Sequence, residues 1–177
     1  MPAPALATIA GLAIASGVDV ESIQCYHEAG LLPPPRRIAG RSARRGYHRD
    51  HLQRLKFIRR ARNMGFSLEA IAELLGAKGG MVTCGDALRV ATRHLDAIRE
   101  ELADPGVAAD PDRRATLTAI ERMVAPLIEE CPRNGATSSC RVLQTLSAPL
   151  RQVPYTPGPS ATIRLRLVQL PTQTAGF

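Results

Sequence analysis

Thr8-Ile9-Ala10-Gly11-Leu12-Ala13-Ile14-Ala15-Ser16-Gly17-Val18-Asp19-Val20-Glu21-Ser22-Ile23-Gln24-Cys25-Tyr26-His27-Glu28-Ala29-Gly30 is the stretch on which the fold turns. Thr8 to Ser16 predicts a short helix stopped by Gly17, and Val20 to Glu28 a second one, with Asp19 as N-cap and Gly30 as stop. Two short helices joined at a glycine suit a helix-turn-helix, whose second helix enters the major groove. An ordinary αα-hairpin fits these residues equally well.

The segment that follows favours the first alternative. Leu31-Leu32-Pro33-Pro34-Pro35 ends the helix, and Arg36 to Tyr47, rich in Gly and Arg, predicts a two-stranded wing. Arg36, Arg37, Arg41, Arg44 and Arg45 have too few internal carboxylates nearby, so phosphates are their natural counterions. Residues 36–62 carry eleven Arg or Lys against the single acid Asp50, whereas the rest of the chain is net acidic although the total is +7. Such a patch implies a polyanionic partner. Leu52, Leu55, Phe57, Ile58 and Ala61 then give a helical apolar face, on which a solvated surface is expected for Arg54, Lys56, Arg59, Arg60 and Arg62. Leu68 to Leu75 predicts a further helix between Ser67 and Gly76.

With 177 residues, 45% apolar content and only 3% aromatics, the chain can bury one or two small, mainly α cores but not a large enzyme fold. The apolar run from Leu6 to Ile14 has no basic region before it, and no run is long enough to span a bilayer, so a cytoplasmic protein without a membrane partner is expected. Four cysteines in that compartment favour metal or redox chemistry over disulfides. Cys84 follows a Gly79-Gly80 break at the start of a helix, where the dipole should lower its pKa. Cys131 and Cys140 bracket the polar Pro132 to Ser139, which predicts a loop. Three soft sulfurs without a nearby His suit a soft cation and argue against four-ligand structural zinc. Cys25 is expected to be a small structural apolar residue, and His27, His48, His51 and His94 to be exposed or in the core. No Cys-x-x-Cys, phosphate-binding glycine loop or nucleophile with a placed base is present, so no enzyme is expected.

Several phrases in order, Ser22-Ile23-Gln24-Cys25-Tyr26-His27-Glu28-Ala29-Gly30-Leu31-Leu32, then Arg45-Gly46-Tyr47 with Leu52, then Leu55-Lys56-Phe57-Ile58 and Gly65-Phe66-Ser67-Leu68-Glu69-Ala70-Ile71, resemble the MerR family of transcriptional regulators over roughly residues 7–147. The resemblance implies a mainly α protein: a winged helix-turn-helix head, an antiparallel coiled-coil dimerisation helix and a C-terminal metal-binding loop. It implies DNA contacts from Ser22, Gln24, Tyr26, Arg44, Arg45 and Tyr47, and a homodimer that presents promoter DNA to RNA polymerase. The cysteine order looks most like the mercury-responsive branch. That branch implies Hg(II) on Cys84 of one subunit and Cys131 and Cys140 of the other, with repression before metal and activation after it.

The expected organisation is a head at 1–76, linker and dimerisation helices at 77–130 with an insertion near 104–114, a metal loop and short helix at 131–147, and an irregular tail at 148–177, with a short strand at Thr162 to Leu170. Leu88, Ala91, Leu95, Ile98 and Leu102 form a short seam that could pair with another chain. Asp104-Pro105-Gly106 to Asp112 interrupts it before the apolar pattern resumes at Leu117, Ile120, Val124 and Leu127. The insertion either bulges from collinear helices or folds the chain back. Gln24 and Gly46 stand where relatives usually carry arginine. The rival readings are a Pb(II), Cd(II) or Zn(II) sensor of the same build, or a metal- or ligand-binding module with weakened DNA binding.

Overall fold

The computed structural model describes residues 8–37, 45–77, 81–131 and 137–148. Gly79-Gly80, Arg41, Arg44 and the segment from 149, including the strand expected at 162–170, lie outside the described residues.

Helix α1 (Ile9–Ser16) starts where the Thr8 hydroxyl accepts from the Gly11 N–H, and it ends on left-handed Gly17. Helix α2 (Val20–Glu28) starts where Asp19 accepts from the Ser22 N–H at 2.7 Å. The wing is strand β1 (Arg36–Arg37) antiparallel to β2 (Arg45–Gly46), with Arg36 opposite Gly46. Helix α3 (Arg49–Asn63) and helix α4 (Leu68–Leu74, capped by Ser67) complete the head. Leu12, Ile23, Leu32, Leu55, Ile58 and Ile71 bury its centre.

The arginines of α3 are not a solvated face. Arg54 donates to the Leu31 carbonyl, Arg59 to Ser16 at 2.9 Å, and Arg62 to Phe66 at 2.9 Å. Arg60 reaches Thr145 at 2.7 Å, Leu146 at 3.3 Å and Ala148 at 2.6 Å. Ser16 and the 145–148 stretch are helix ends, whose last carbonyls lack intrahelical partners and carry the negative end of the dipole, so a guanidinium suits them better than water alone. Gly17 takes φ 67°, which L side chains rarely adopt, and a Cβ there would also displace the Arg59 guanidinium.

Beyond the head the chain folds back on itself. Helix α5 (Cys84–Ala103) ends at Asp104, a single turn α6 (Pro105–Ala108) reverses direction, and α7 (Pro111–Glu129) returns along α5. Pro105 and Pro111 each open a helix, where their missing N–H costs nothing, and Asp104 and Asp110 cap those openings. Ala91, Leu95 and Ile98, the seam that the sequence offers to another chain, are instead buried in this hairpin. Val107 and Leu117 pack with Ile98, while Arg99–Glu121 at 2.8 Å and Arg113–Glu101 tie the helices outside. Of the two outcomes for the insertion, the folded-back one is realised. A short 3-10 turn (Thr137–Ser139) and helix α8 (Arg141–Ser147) complete the described chain. Gly65, with positive φ, lets the head approach the hairpin: a Cβ there would press on Ile120 at 3.2 Å.

Candidate metal centre

Three elements far apart in the chain converge on three sulfurs. Cys84 is the first residue of α5, Cys131 follows the end of α7, and Cys140 precedes α8. Cys84 Sγ lies 3.2 Å from Cys131 Sγ, and Cys131 Sγ lies 3.6 Å from Cys140 Sγ. All three sulfurs fall within 4.8 Å of one another, and they form the one such metal-competent group among the described residues. Each cysteine is at most 5% exposed, so the pocket is walled from water. All three belong to one chain, because α7 supplies in cis the antiparallel helix that the resemblance assigns to a partner subunit.

The electrostatics reverse one sequence expectation. Burial pushes the Cys84 thiol up to about 12, assisted by hydrogen bonds to the other two thiols, although Cys84 opens a helix. The α5 N-terminus is already satisfied by Thr83 and Asp86, which cap each other, so its dipole has other company. Cys140 is raised too, chiefly by burial, against the Leu143 amide. For Cys131 burial also acts upward, but hydrogen bonds from the Cys84 and Cys140 thiols and from the Arg141 and Val142 amides outweigh it and hold the thiol below its ordinary value. The helix N-terminus that stabilises a thiolate is therefore that of α8, acting on Cys131. The sequence signal was the predicted short helix directly after Cys140, but nothing local says that Cys131 lies over it.

This donor set fits a soft thiophilic ion. Three buried sulfurs with no fourth His, Cys or carboxylate in the group suit an ion content with three thiolates and leave four-coordinate zinc one ligand short. Metal–sulfur bonds of about 2.3 Å in a trigonal plane would separate the sulfurs by about 4 Å. From 3.2 and 3.6 Å, the sulfurs would need to part by less than about 1 Å to hold such an ion, a side-chain adjustment rather than a change of fold.

The nucleic-acid candidates divide. Gln24 and Arg45 are exposed, as are Arg36 and Arg37 beside Arg45 on the wing. Ser22 turns its hydroxyl to Asp19 at 2.7 Å, and Tyr26 is half-buried, its phenol raised by burial. Tyr47 sits 3.2 Å from His27 and stands edge-on to buried His51, so it braces the wing against α2 and α3. Cys25 is exposed, contrary to the structural role expected of it. Its neighbour Ile23 takes the buried face of α2. No helix among the described residues is long and apolar enough to cross a membrane.

The chain resembles known proteins over most of its length. The family described as MerR HTH family regulatory protein matches residues 7–78, and the one described as MerR, DNA binding, matches residues 52–105. The mercuric resistance operon regulatory protein of Serratia marcescens is 34% identical over 139 residues, covering 78% of this chain and 86% of that protein. Its counterpart in Bacillus cereus is 32% identical, covering 78% and 95%. Among solved structures, the transcription regulator PbrR691 of Ralstonia metallidurans CH34 in complex with lead(II) is 28% identical, covering 79% of this chain and 98% of that one, with a TM-score of 0.47.

Proposed function

The chain belongs to the MerR family of helix-turn-helix regulators, and on that premise we propose that it is a metal-responsive transcriptional regulator of a mercury-resistance operon, with Hg(II) as its effector. The observation that carries the reading is the triad itself: Cys84, Cys131 and Cys140 bring three buried sulfurs together, a donor set that selects a soft cation. Curated relatives named as mercuric resistance regulators span most of the chain.

In this reading residues 1–76 form the DNA-binding head, 77–130 the helices that join head to sensor, and 131–147 the metal loop. Two copies sit on double-stranded promoter DNA. Gln24 and Arg45 meet the duplex from exposed positions, and Ser22, Tyr26, Arg44 and Tyr47 are the further residues proposed to contact it. Because α7 fills the Ala91–Leu95–Ile98 seam, the homodimer joins through other surface. Cys84, Cys131 and Cys140 would hold the ion as thiolates and give up their protons to it, Cys131 being the one whose surroundings favour the thiolate. Metal binding biases a two-state protein that twists the promoter, so repression gives way to activation when RNA polymerase can engage the distorted DNA.

The test is a titration of the reduced protein with Hg(II) against excess competing thiol, followed by thiolate-to-metal charge-transfer absorption, with Pb(II), Cd(II) and Zn(II) in parallel. Tight saturation is expected for Hg(II), lost in Cys84→Ser, Cys131→Ser and Cys140→Ser and kept in Cys25→Ser. No binding above the competitor refutes the sensor, and tighter binding of another ion reassigns the effector.

A further inference from the structure

The metal triad and the head are joined by one short lever. Cys140 stands immediately before α8 as its N-cap residue, and its Sγ lies 3.6 Å from Cys131 Sγ. Seven residues later, about 10 Å along the axis, the carbonyls of Thr145, Leu146 and Ala148 all converge on Arg60 Nη1 of α3. Between the two ends, Val142 and Leu146 are each 1% exposed and lock α8 into the core that holds the head and the three cysteines together. Its N-terminal end thus belongs to the sensor and its C-terminal end to the head.

Arg60 is the side chain at that joint. The other α3 arginines with carbonyl partners bind within the head, at Leu31, Ser16 and Phe66. Arg60 spans more than 80 residues of sequence to grip a segment outside it. On the same helix, about three turns earlier, His51 meets Tyr47 edge-on and approaches the Pro34 carbonyl at 3.3 Å, so α3 also carries the wing. Any shift of α8 would meet α3 at Arg60, and the far end of α3 holds Tyr47 beside β2 through His51.

Resting on the proposed reading of the triad as a metal sensor, we infer that Arg60 is the positioning residue that transmits occupancy of Cys84, Cys131 and Cys140 to the wing, by holding the C-terminal carbonyls of α8. It touches neither metal nor nucleic acid in this role. One guanidinium nitrogen, Nη1, shares its N–H groups among the three carbonyls, and a lysine ammonium carries the same charge on a different stem.

The test compares wild type, Arg60→Ala, Arg60→Lys and Arg59→Ala as full chains. Hg(II) affinity is measured by competitive titration, and hydrogen–deuterium exchange is followed with and without Hg(II) over residues 45–63 and 141–147. In wild type, metal is expected to change exchange in both segments. Arg60→Ala should keep its Hg(II) affinity within about twofold and keep the response of α8, yet lose that of α3 and β2, with partial recovery in Arg60→Lys. Arg59→Ala, which cuts a comparable bond inside the head, should transmit normally. A wild-type response of residues 45–63 in Arg60→Ala overturns the inference, as does metal capture by wild type that leaves those residues unchanged, or loss of Hg(II) affinity in Arg60→Ala. If the alanine variant does not fold, Arg60→Gln takes its place under the same criteria. Wild type that binds no Hg(II) refutes the sensor reading instead.

Discussion

Splitting the cysteines between two chains distinguishes a site closed within one subunit from one shared across a dimer. A shared site built by running α5 and α7 on as one straight helix would place Pro105, Gly106 and Pro111 in its interior. At about 3 kcal/mol for each proline and about 1 kcal/mol for glycine, that arrangement costs about 7 kcal/mol per chain. The observed turn avoids the cost, since both prolines sit at first helical positions and Asp104 accepts from the Gly106 N–H at 2.7 Å. A dimer that exchanged α7 would recover the same apolar contacts, so the turn decides between the two forms. The experiment co-refolds equal amounts of Cys84→Ser chains and Cys131→Ser/Cys140→Ser chains and measures Hg(II) capacity by charge-transfer absorption. Random pairing in a shared-site dimer makes half the dimers mixed, each with one intact site of two, so about a quarter of wild-type capacity would return. The structure requires none to return beyond the separate variants. Recovery near a quarter would refute the folded-back hairpin as the functional form. Replacing Pro105, Gly106 and Pro111 by alanine removes the cost and is expected to bring that signal in.

Three further measurements follow from the same geometry. Leu95→Ala, at a hairpin position only 5% exposed, should destabilise the protein by about 2–5 kcal/mol, read as a fall in the denaturant midpoint, while Met123→Ala on the 44% exposed face should shift stability by less than about 0.5 kcal/mol. Asp19, whose carboxyl is held below 3.8 first by the Ser22 amide and then by its hydroxyl, stabilises the charged form of the native state. That contribution is present above pH 3.8 and lost as pH falls through the lowered native value, so Asp19→Ala should lose about 1 kcal/mol near neutrality and draw level with wild type as acid titrates the native carboxyl. On DNA, Arg45→Gln should weaken binding across sequences and flatten the plot of log affinity against log salt by about 0.9 for each phosphate that Arg45 neutralises, whereas an unchanged slope would remove Arg45 from the interface.

The head was legible because its determinants are local. Asp19 and Ser67 cap helices through bonds to residues three further on, Gly17 and Gly30 supply the left-handed turns that stop them, and the wing follows from prolines and an arginine run that no helix could continue. The three cysteines that the sequence singles out are the ones whose sulfurs the structure gathers, because soft ligands in a His-poor context mark themselves without coordinates. Three matters were decided only by the tertiary structure. The sequence identifies Ala91, Leu95 and Ile98 as a seam but not whose helix fills it, since α7 and a second chain present the same periodicity. The pKa order of the cysteines depends on burial and on the amides of α8, contributed across nine or more residues, so the local expectation for Cys84 had the wrong sign. The arginines of α3 looked solvated because their partners are backbone carbonyls, a chemistry every residue shares. Hydrogen bonds between close neighbours are written in the chain, whereas a triad whose first two sulfurs lie 47 residues apart exists only once the turn at Asp104 has folded the two helices together.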